Sequence, residues 1–155
     1  MDNTNKPQIL AAGAGKAIMV GLSRLVVKLP SEQTVNRLSI TTYELPPGFP
    51  GPPPHKHAVF EHAWYVLEGE LTVQLGNDIS VLSKGGFVYI PKQVVHAFAN
   101  SGNGVAEVLV VDTPGGFEKY YDDLQAAFGN GEKIDQQIIR DIQLKYDTYP
   151  PDHIF

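Results

Sequence analysis

Glycine and proline divide this chain into short segments, and this division constrains the fold more than any other feature. The 155 residues include 15 Gly and 12 Pro. Many segments between them alternate apolar and polar residues or are rich in β-branched and aromatic residues, which is typical of an all-β sandwich or barrel. We expect the strands to form an antiparallel meander. The predicted strands are 18–20, 25–28, 36–44, 63–68, 71–75, 79–82, 87–90, 96–99 and 105–111.

The pattern changes after Val111, where apolar residues recur at the three- and four-residue spacing of one helix face. The first set predicts a helix that ends at Gly129, and a weaker second set predicts another. We expect both helices to cover one end or edge of the β-domain. The whole chain, 1–155, is interpreted as one domain with a barrel core at about 17–112 and a helical segment at about 115–146. The helical positions are Phe117, Tyr120, Tyr121, Leu124 and Phe128, then Ile134, Ile138, Ile139 and Ile142.

Composition narrows the function classes. Hydrophobic residues make up 43% of the chain and charged residues 19%, which suits a folded domain. The net charge of −5 has no basic runs, so we expect neither a nucleic-acid nor a membrane partner. No stretch approaches the roughly 18 apolar residues of a membrane span, and we expect a cytoplasmic protein. With no cysteine, any metal must be held by nitrogen and oxygen ligands.

Histidines form the strongest candidate for a functional site. The chain has 5 His, of which His55, His57 and His62 are close in sequence and His96 lies further along. Residues two apart on a strand point to the same face, so His55 and His57 can direct their imidazoles toward one point. A metal–nitrogen bond of about 2 Å needs such convergence. His153 lies in a proline-containing tail, where we expect an exposed residue.

The segment from Gly48 to Asn100 resembles the two conserved motifs of the cupin superfamily. The resemblance implies an all-β cupin double-stranded β-helix, or jelly-roll barrel, with the short helices at its C-terminal side. It also implies a site for one divalent transition metal ion with His55, His57 and His96 as ligands, and we expect His62 to be the fourth. Motif positions are matched by His55, His57 and Gly69 in the first motif and by Gly85, Pro91, His96 and Asn100 in the second.

Two departures from the motifs affect the site. Gln93 replaces a glycine, so the turn before His96 must avoid a positive φ or bear its cost. His62 stands where the family has a glutamate ligand at the usual distance from Gly69, while Glu61 fits a looser spacing from His57. Alternation favours His62, which would share the inward face with Trp64, although both residues could serve if the strand bulges there.

Replacing a carboxylate by an imidazole changes the chemistry of such a site. Four neutral histidines leave a divalent ion with a charge of +2, which strengthens it as an electrophile but removes a ligand that could act as a base. Glu61 is the candidate base acting from outside the ligand set. Imidazole-rich sites suit Fe, Ni, Cu and Zn, and Mn is also compatible, so the sequence does not choose the metal.

Three further segments, 51–57 (GPPPHKH), 64–71 (WYVLEGEL) and 113–118 (TPGGFE), resemble the quercetin dioxygenase-like branch of small cupins. The resemblance implies a dioxygenase that acts on a small enolic or aromatic, flavonol-like compound. The alternatives are a non-catalytic cupin that binds a metal and a small ligand, and a metal-dependent isomerase or lyase, because cupins host many activities. The resemblance also makes a homodimer an expectation. Candidate pocket or core residues are Trp64, Val66, Val73, Phe87, Tyr89 and Phe98.

Overall fold

Short antiparallel strands dominate the computed structural model, which describes residues 4–128 and 135–155. Gly129, the predicted end of the first helix, and Ile134 lie outside the described residues. No helix within the described ranges is long and apolar enough to cross a membrane. The described elements are β1 (Lys16–Val20), β2 (Ser23–Leu29), β3 (Ser39–Leu45), β4 (Lys56–His57), β5 (Glu61–Glu68), β6 (Glu70–Leu75), β7 (Asp78–Ser83), β8 (Phe87–Ile90), β9 (His96–Ala99), β10 (Ala106–Thr113), α1 (Glu118–Phe128), α2 (Gln136–Lys145) and β11 (Thr148–Tyr149).

The strands pair antiparallel, but they do not form the expected simple meander. One sheet has the order β1-β2-β3-β10-β5-β8, and a second has the order β7-β6-β9. Strand β10 therefore lies between β3 and β5, both of which are distant from it in sequence. Among the described strands, the sheets are not closed into a continuous barrel. This arrangement confirms the predicted all-β jelly-roll, or double-stranded β-helix, with two short C-terminal helices.

Both sheets contribute side chains to one hydrophobic core. Period-two alternation turns every second residue of β5 and β10 inward, so that Trp64, Val66, Val108 and Val110 are buried. The helix α1 packs its apolar face against the same core. Other buried members include Ile18, Leu25, Tyr43, Leu45, Leu71, Val73, Ile90, Phe117, Tyr121 and Leu124.

Two of the predicted pocket or core residues face outward instead. Phe87 is 59% exposed and Tyr89 is 50% exposed, and they pair with Tyr65 and Ala63 on the outer face of β5. Directly opposed residues on antiparallel strands share a face, so the register of β8 turns these rings to solvent. The prediction for Phe87 and Tyr89 was wrong because aromatic content alone does not tell which face of a strand is inside.

Candidate metal centre

Three histidines from different segments converge inside the jelly-roll. One ring nitrogen from each of His55, His57 and His96 lies within 4.8 Å of the others. The ring centroids are 4.4 Å apart for His55 and His96 and 5.2 Å apart for His57 and His96. His57 and His96 are each only 1% exposed. The arrangement brings His96 next to two residues that precede it by about forty positions in the chain.

The backbone holds these segments together at the site. His55 and His96 exchange two backbone hydrogen bonds, of 3.0 and 2.8 Å, and so form an antiparallel bridge. Gln93 has φ 68° and directs its backbone N–H to the carbonyl oxygen of His57 at 2.6 Å. The turn before His96 thus adopts the positive φ that a glycine would adopt more easily. The Gln93 hydrogen bond connects the segment that contains His96 to the segment that contains His57.

The proline-rich segment that precedes His55 is fixed by Asn100 and Gly51. The buried Asn100 amide donates to the carbonyl oxygens of Leu45, Pro46 and Gly104 at 2.7–3.1 Å. Gly51 has φ 74°, and a Cβ atom there would overlap the backbone of β9. These contacts fix the backbone of the proline-rich segment, and with it the position of His55.

Hydrogen bonds at Nδ1 determine which nitrogen of each ring is free. His55 donates to the carbonyl oxygen of Pro53, His57 to that of Asp147 and His96 to that of Val94, each at 2.9 Å. Carbonyl oxygens only accept, so each neutral ring must carry its proton on Nδ1 and a lone pair on Nε2. Among the described residues, nothing hydrogen-bonds to the buried Nε2 atoms of His57 and His96. These unpartnered nitrogens fit a transition metal ion, which takes neutral imidazole ligands.

Burial keeps these imidazoles neutral. It lowers the pKa of His55 to about 4, of His57 to about 2 and of His96 to about 3, with smaller contributions from the neighbouring histidines. A neutral imidazole is the form that ligates a metal, so the three rings are ready to bind at neutral pH without first losing a proton.

His62 lies beside the three-histidine cluster on the inner face of β5. Its ring centroid is 4.8 Å from that of His57 and 5.5 Å from that of His96, and the side chain is 3% exposed. His62 Nδ1 lies 2.6 Å from Oδ1 of Asp112, its directly opposed residue on β10. His62 is therefore next to the cluster, but its ring nitrogens are not part of the group that lies within 4.8 Å.

Glu61, the candidate base, lies on the other face of β5. It hydrogen-bonds the exposed Tyr89 side chain, and this hydrogen bond, with a smaller effect of desolvation, raises the pKa of Tyr89. Strand alternation separates Glu61 from the imidazoles. The structure thus places it away from the position that a base next to the cluster would occupy.

Two residues at the site were missed by sequence reasoning. Asp112 is completely buried, and the alternation of Val108, Val110 and Asp112 along β10 was a signal that its carboxylate points inward. Asp147 reaches the site from beyond α2, where β11 pairs with β4. No local pattern in the sequence indicates that contact.

An aromatic cavity of about 500 Å³ adjoins the cluster at His55. It lies between the proline-rich segment, the inner end of the strands and the two helices. None of the described residues that line it is Asp, Glu, Lys or Arg. Trp64 faces a much smaller neighbouring cavity, whose wall it shares with Phe98. The described aromatic lining of the large cavity consists of Tyr43, Phe49, Phe98, Phe117, Tyr120, Tyr121 and Phe128.

Comparisons with known proteins agree with this fold. Residues 41–112 match the family described as the cupin domain. A segment of 60 residues is 35% identical to the uncharacterized protein MJ1618 of Methanocaldococcus jannaschii, and it covers 39% of this chain and 48% of that relative. The chain therefore matches about half the length of this curated relative.

Solved structures with low sequence identity share the fold. The polyketide cyclase RemF from Streptomyces resistomycificus is 23% identical, with a TM-score of 0.61 over 70% of this chain and 80% of that one. KdgF from Halomonas sp. is 16% identical, with a TM-score of 0.64 over 74% and 99% of the two chains. A sugar phosphate isomerase of the cupin superfamily from Silicibacter pomeroyi is 21% identical, with a TM-score of 0.54 over 61% and 60%. Residues 41–112 thus match the cupin domain, and these solved structures share the fold of this chain.

Proposed function

We propose that this protein is a metal-dependent dioxygenase that acts on a small enolic or aromatic compound, with flavonols as the first class to test. The observation that carries the proposal is the position of the histidine cluster beside an aromatic cavity. A cavity of about 500 Å³ is within the usual range of small-molecule sites, about 300–1,000 Å³.

His55, His57 and His96 would hold the metal, and we propose His62 as the fourth ligand. The Nδ1 hydrogen bonds keep the Nε2 lone pairs available, which supports binding at neutral pH. A bound divalent ion would supply Lewis acidity toward a substrate oxygen and, if redox-active, a route for electrons.

The cavity supports an aromatic substrate over a strongly charged one. Recognition of a phosphate group normally uses Arg or Lys, and neither occurs among the described residues that line the cavity. Rings such as Phe98 and Phe117 offer faces and edges on which a planar ligand can stack. We therefore do not extend to this chain the sugar phosphate substrates named for the Silicibacter pomeroyi neighbour.

A second candidate is a redox-neutral isomerase, lyase or cyclase that acts on the same class of compound. The pairing of His62 with Asp112 favours it, because an imidazole held by a buried carboxylate can accept a proton at Nε2. In this alternative, His62 serves as a base instead of a ligand. A third candidate, a metal-containing sensor, would bind the compound without converting it.

The proposal is tested by oxygen consumption. Protein loaded with Fe, Mn, Ni or Cu is mixed with flavonols, catechols and β-diketones in an oxygen electrode, with His96→Ala as the blank. A dioxygenase consumes one O2 per product, and its turnover stops without oxygen. Product that forms equally well under nitrogen would instead support the redox-neutral enzyme.

Binding that shifts the metal's absorption spectrum without any turnover would support the sensor.

The Glu61→Gln variant tests whether Glu61 acts as the base or is only a residue of the outer face. We expect this variant to keep its metal and its turnover, because Glu61 bonds to Tyr89 and not to the imidazoles.

A further inference from the structure

The carboxylate of Asp112 is an unusual group at this position in the core. Its side chain is completely buried, and its partner His62 is only 3% exposed. Oδ1 bonds to His62, whereas Oδ2 has no hydrogen-bond partner among the described residues. Burial raises the pKa of the Tyr121 hydroxyl, and the nearby charge of Asp112 raises it further.

An incompletely paired buried carboxylate is costly. Leaving a buried acceptor without a partner destabilises the folded state, and the cost is larger when the group is charged. A buried charge persists where an opposite charge stabilises it. Within residues 4–128 and 135–155, no Lys or Arg forms an ion pair with Asp112, whose hydrogen-bond partner is His62.

The same centre lacks negative charge of its own. The residues whose ring nitrogens converge are all histidines, and His62 beside them is a histidine as well. A dication held only by neutral imidazoles keeps a charge of +2 inside a low-dielectric core, which is unfavourable. The His62 ring lies between the Asp112 carboxylate and the three-histidine cluster. The negative charge of Asp112 can therefore offset part of the positive charge of a bound ion.

We propose that Asp112 is a positioning residue that supplies the negative charge of the metal centre through His62. Its carboxylate holds the Nδ1 proton, directs Nε2 of His62 toward the cluster and makes that nitrogen more electron-donating. The net charge of the centre falls from +2 to +1. The inference rests on the metal site proposed above and adds the group that sets the affinity and the redox properties of that site.

Asp112→Asn tests the charge with little change in shape. The amide oxygen can still accept the Nδ1 hydrogen bond, so mainly the charge is lost. We expect Zn²⁺ affinity, measured by competition with a chelator, to fall about 10- to 100-fold. We also expect the reduction potential of bound iron to rise, because the oxidised ion loses the greater stabilisation. A purely structural carboxylate would change neither quantity.

Glu118→Gln is the matched control. Glu118 is also a buried carboxylate, and it accepts from the backbone N–H groups of Ser31 and Gly116 at 2.8 and 2.9 Å, away from the imidazoles. This variant should lose stability without a change in Zn²⁺ affinity or iron potential. If Asp112→Asn does not fold, Asp112→Glu retains the charge and should lie much closer to the wild type in affinity than His62→Ala does.

The outcomes separate this inference from the proposed function. Wild-type protein that binds no transition metal would overturn both. Wild-type protein that binds metal, with Asp112→Asn indistinguishable from Glu118→Gln in affinity and potential, would overturn only the role of Asp112. If Asp112→Asn does not fold, an affinity of Asp112→Glu as low as that of His62→Ala would overturn it instead. A double-mutant cycle adds a check, since the Asp112→Asn effect should disappear in a His62→Ala background.

Discussion

The backbone carbonyl oxygen of Asp147 accepts the Nδ1 hydrogen bond of His57 at 2.9 Å, although 90 positions separate the two residues. The Asp147 carboxylate accepts from the backbone N–H groups of Ala58, Val59 and Phe60 at 2.7–3.0 Å. One residue therefore orients a candidate ligand and also caps the turn that leads to β5. The C-terminal segment is in this way part of the candidate metal centre.

Removing the Asp147 side chain should loosen His57. Asp147 has φ 57°, which glycine adopts without strain, so Asp147→Gly removes the carboxylate while it permits the same backbone path. We expect a loss of about 1–3 kcal/mol in unfolding free energy, because three N–H groups lose their acceptor. Zn²⁺ affinity should fall about tenfold. Urea unfolding and chelator competition measure the two effects.

Asp147→Asn is the control for this change. Asparagine tolerates a positive φ and keeps one acceptor oxygen, so its losses should be smaller than those of the glycine variant. Equal stability and metal affinity in the wild type and Asp147→Gly would show that the contact is incidental.

Acid should destabilise the metal-free protein through the buried histidines. Burial lowers the folded-state pKa of His55 to about 4, of His57 to about 2 and of His96 to about 3. The unfolded chain binds these protons near pH 6.5, whereas the folded chain does not bind them until lower pH. The unfolded state therefore gains protons first, and stability should fall as the pH decreases from about 6.5 toward 4.

Thermal unfolding of metal-free protein between pH 7 and pH 4 checks this direction. His57→Ala removes one of the titrating rings and should give a shallower dependence on pH. A wild-type stability that is constant over this range would contradict neutral, buried imidazoles. In loaded protein, the same range should show metal release, because protons compete for the ligand nitrogens.

The strained turn before His96 offers a stabilising substitution. Gln93 occupies the left-handed region at φ 68°, which costs a residue with a Cβ atom about 1–2 kcal/mol. Glycine avoids this cost, but its backbone loses more conformational entropy on folding, which costs about 0.5–1 kcal/mol. Gln93→Gly should therefore stabilise the protein by about 0.5–1 kcal/mol, and Gln93→Val should destabilise it. Urea unfolding in which glycine proves no better than Gln93→Ala would contradict a strained turn.

Phe98 should contribute to ligand binding without affecting the metal. Its ring lines the aromatic cavity and packs 5.1 Å from Trp64 and 5.8 Å from Tyr43, centroid to centroid. We expect Phe98→Ala to weaken binding of a flavonol about tenfold, which corresponds to the loss of about one aromatic pair. Flavonol titration followed by quenching of Trp64, the chain's 1 tryptophan, measures the affinity.

Phe87→Ala is the matched control, because this phenylalanine is exposed on the outer face. Both variants should bind the same amount of metal. Identical flavonol affinities for Phe87→Ala and Phe98→Ala would contradict the location of the ligand in the cavity.

Local patterns in the sequence predicted much of the fold. The expected segments 87–90 and 96–99 coincide with β8 (Phe87–Ile90) and β9 (His96–Ala99), since glycine, proline and alternation act within a few residues. Strand order was wrong because pairing of β10 with β3 and β5 depends on contacts between distant segments. The sequence contains no local signal for such pairing.

Part of the candidate site could also be predicted from local patterns in the sequence. His55, His57 and His96 stand at motif positions, and the structure brings their ring nitrogens within 4.8 Å. Alternation along β10 turns Asp112 inward, but the predicted strand 105–111 ended one residue before it. Asp147 could not have been found, because its contact with His57 arises only when β11 returns to pair with β4.

Metal stoichiometry tests the central claim most directly. Metal-free protein is titrated with Ni²⁺ or Zn²⁺, and bound ion is measured by equilibrium dialysis and elemental analysis. The account predicts about one ion per chain for the wild type and none at the same concentrations for His57→Ala or His96→Ala, with both variants still folded by circular dichroism. A wild type that binds no ion of Fe, Mn, Ni, Cu or Zn, or variants that bind as tightly as the wild type, would contradict it.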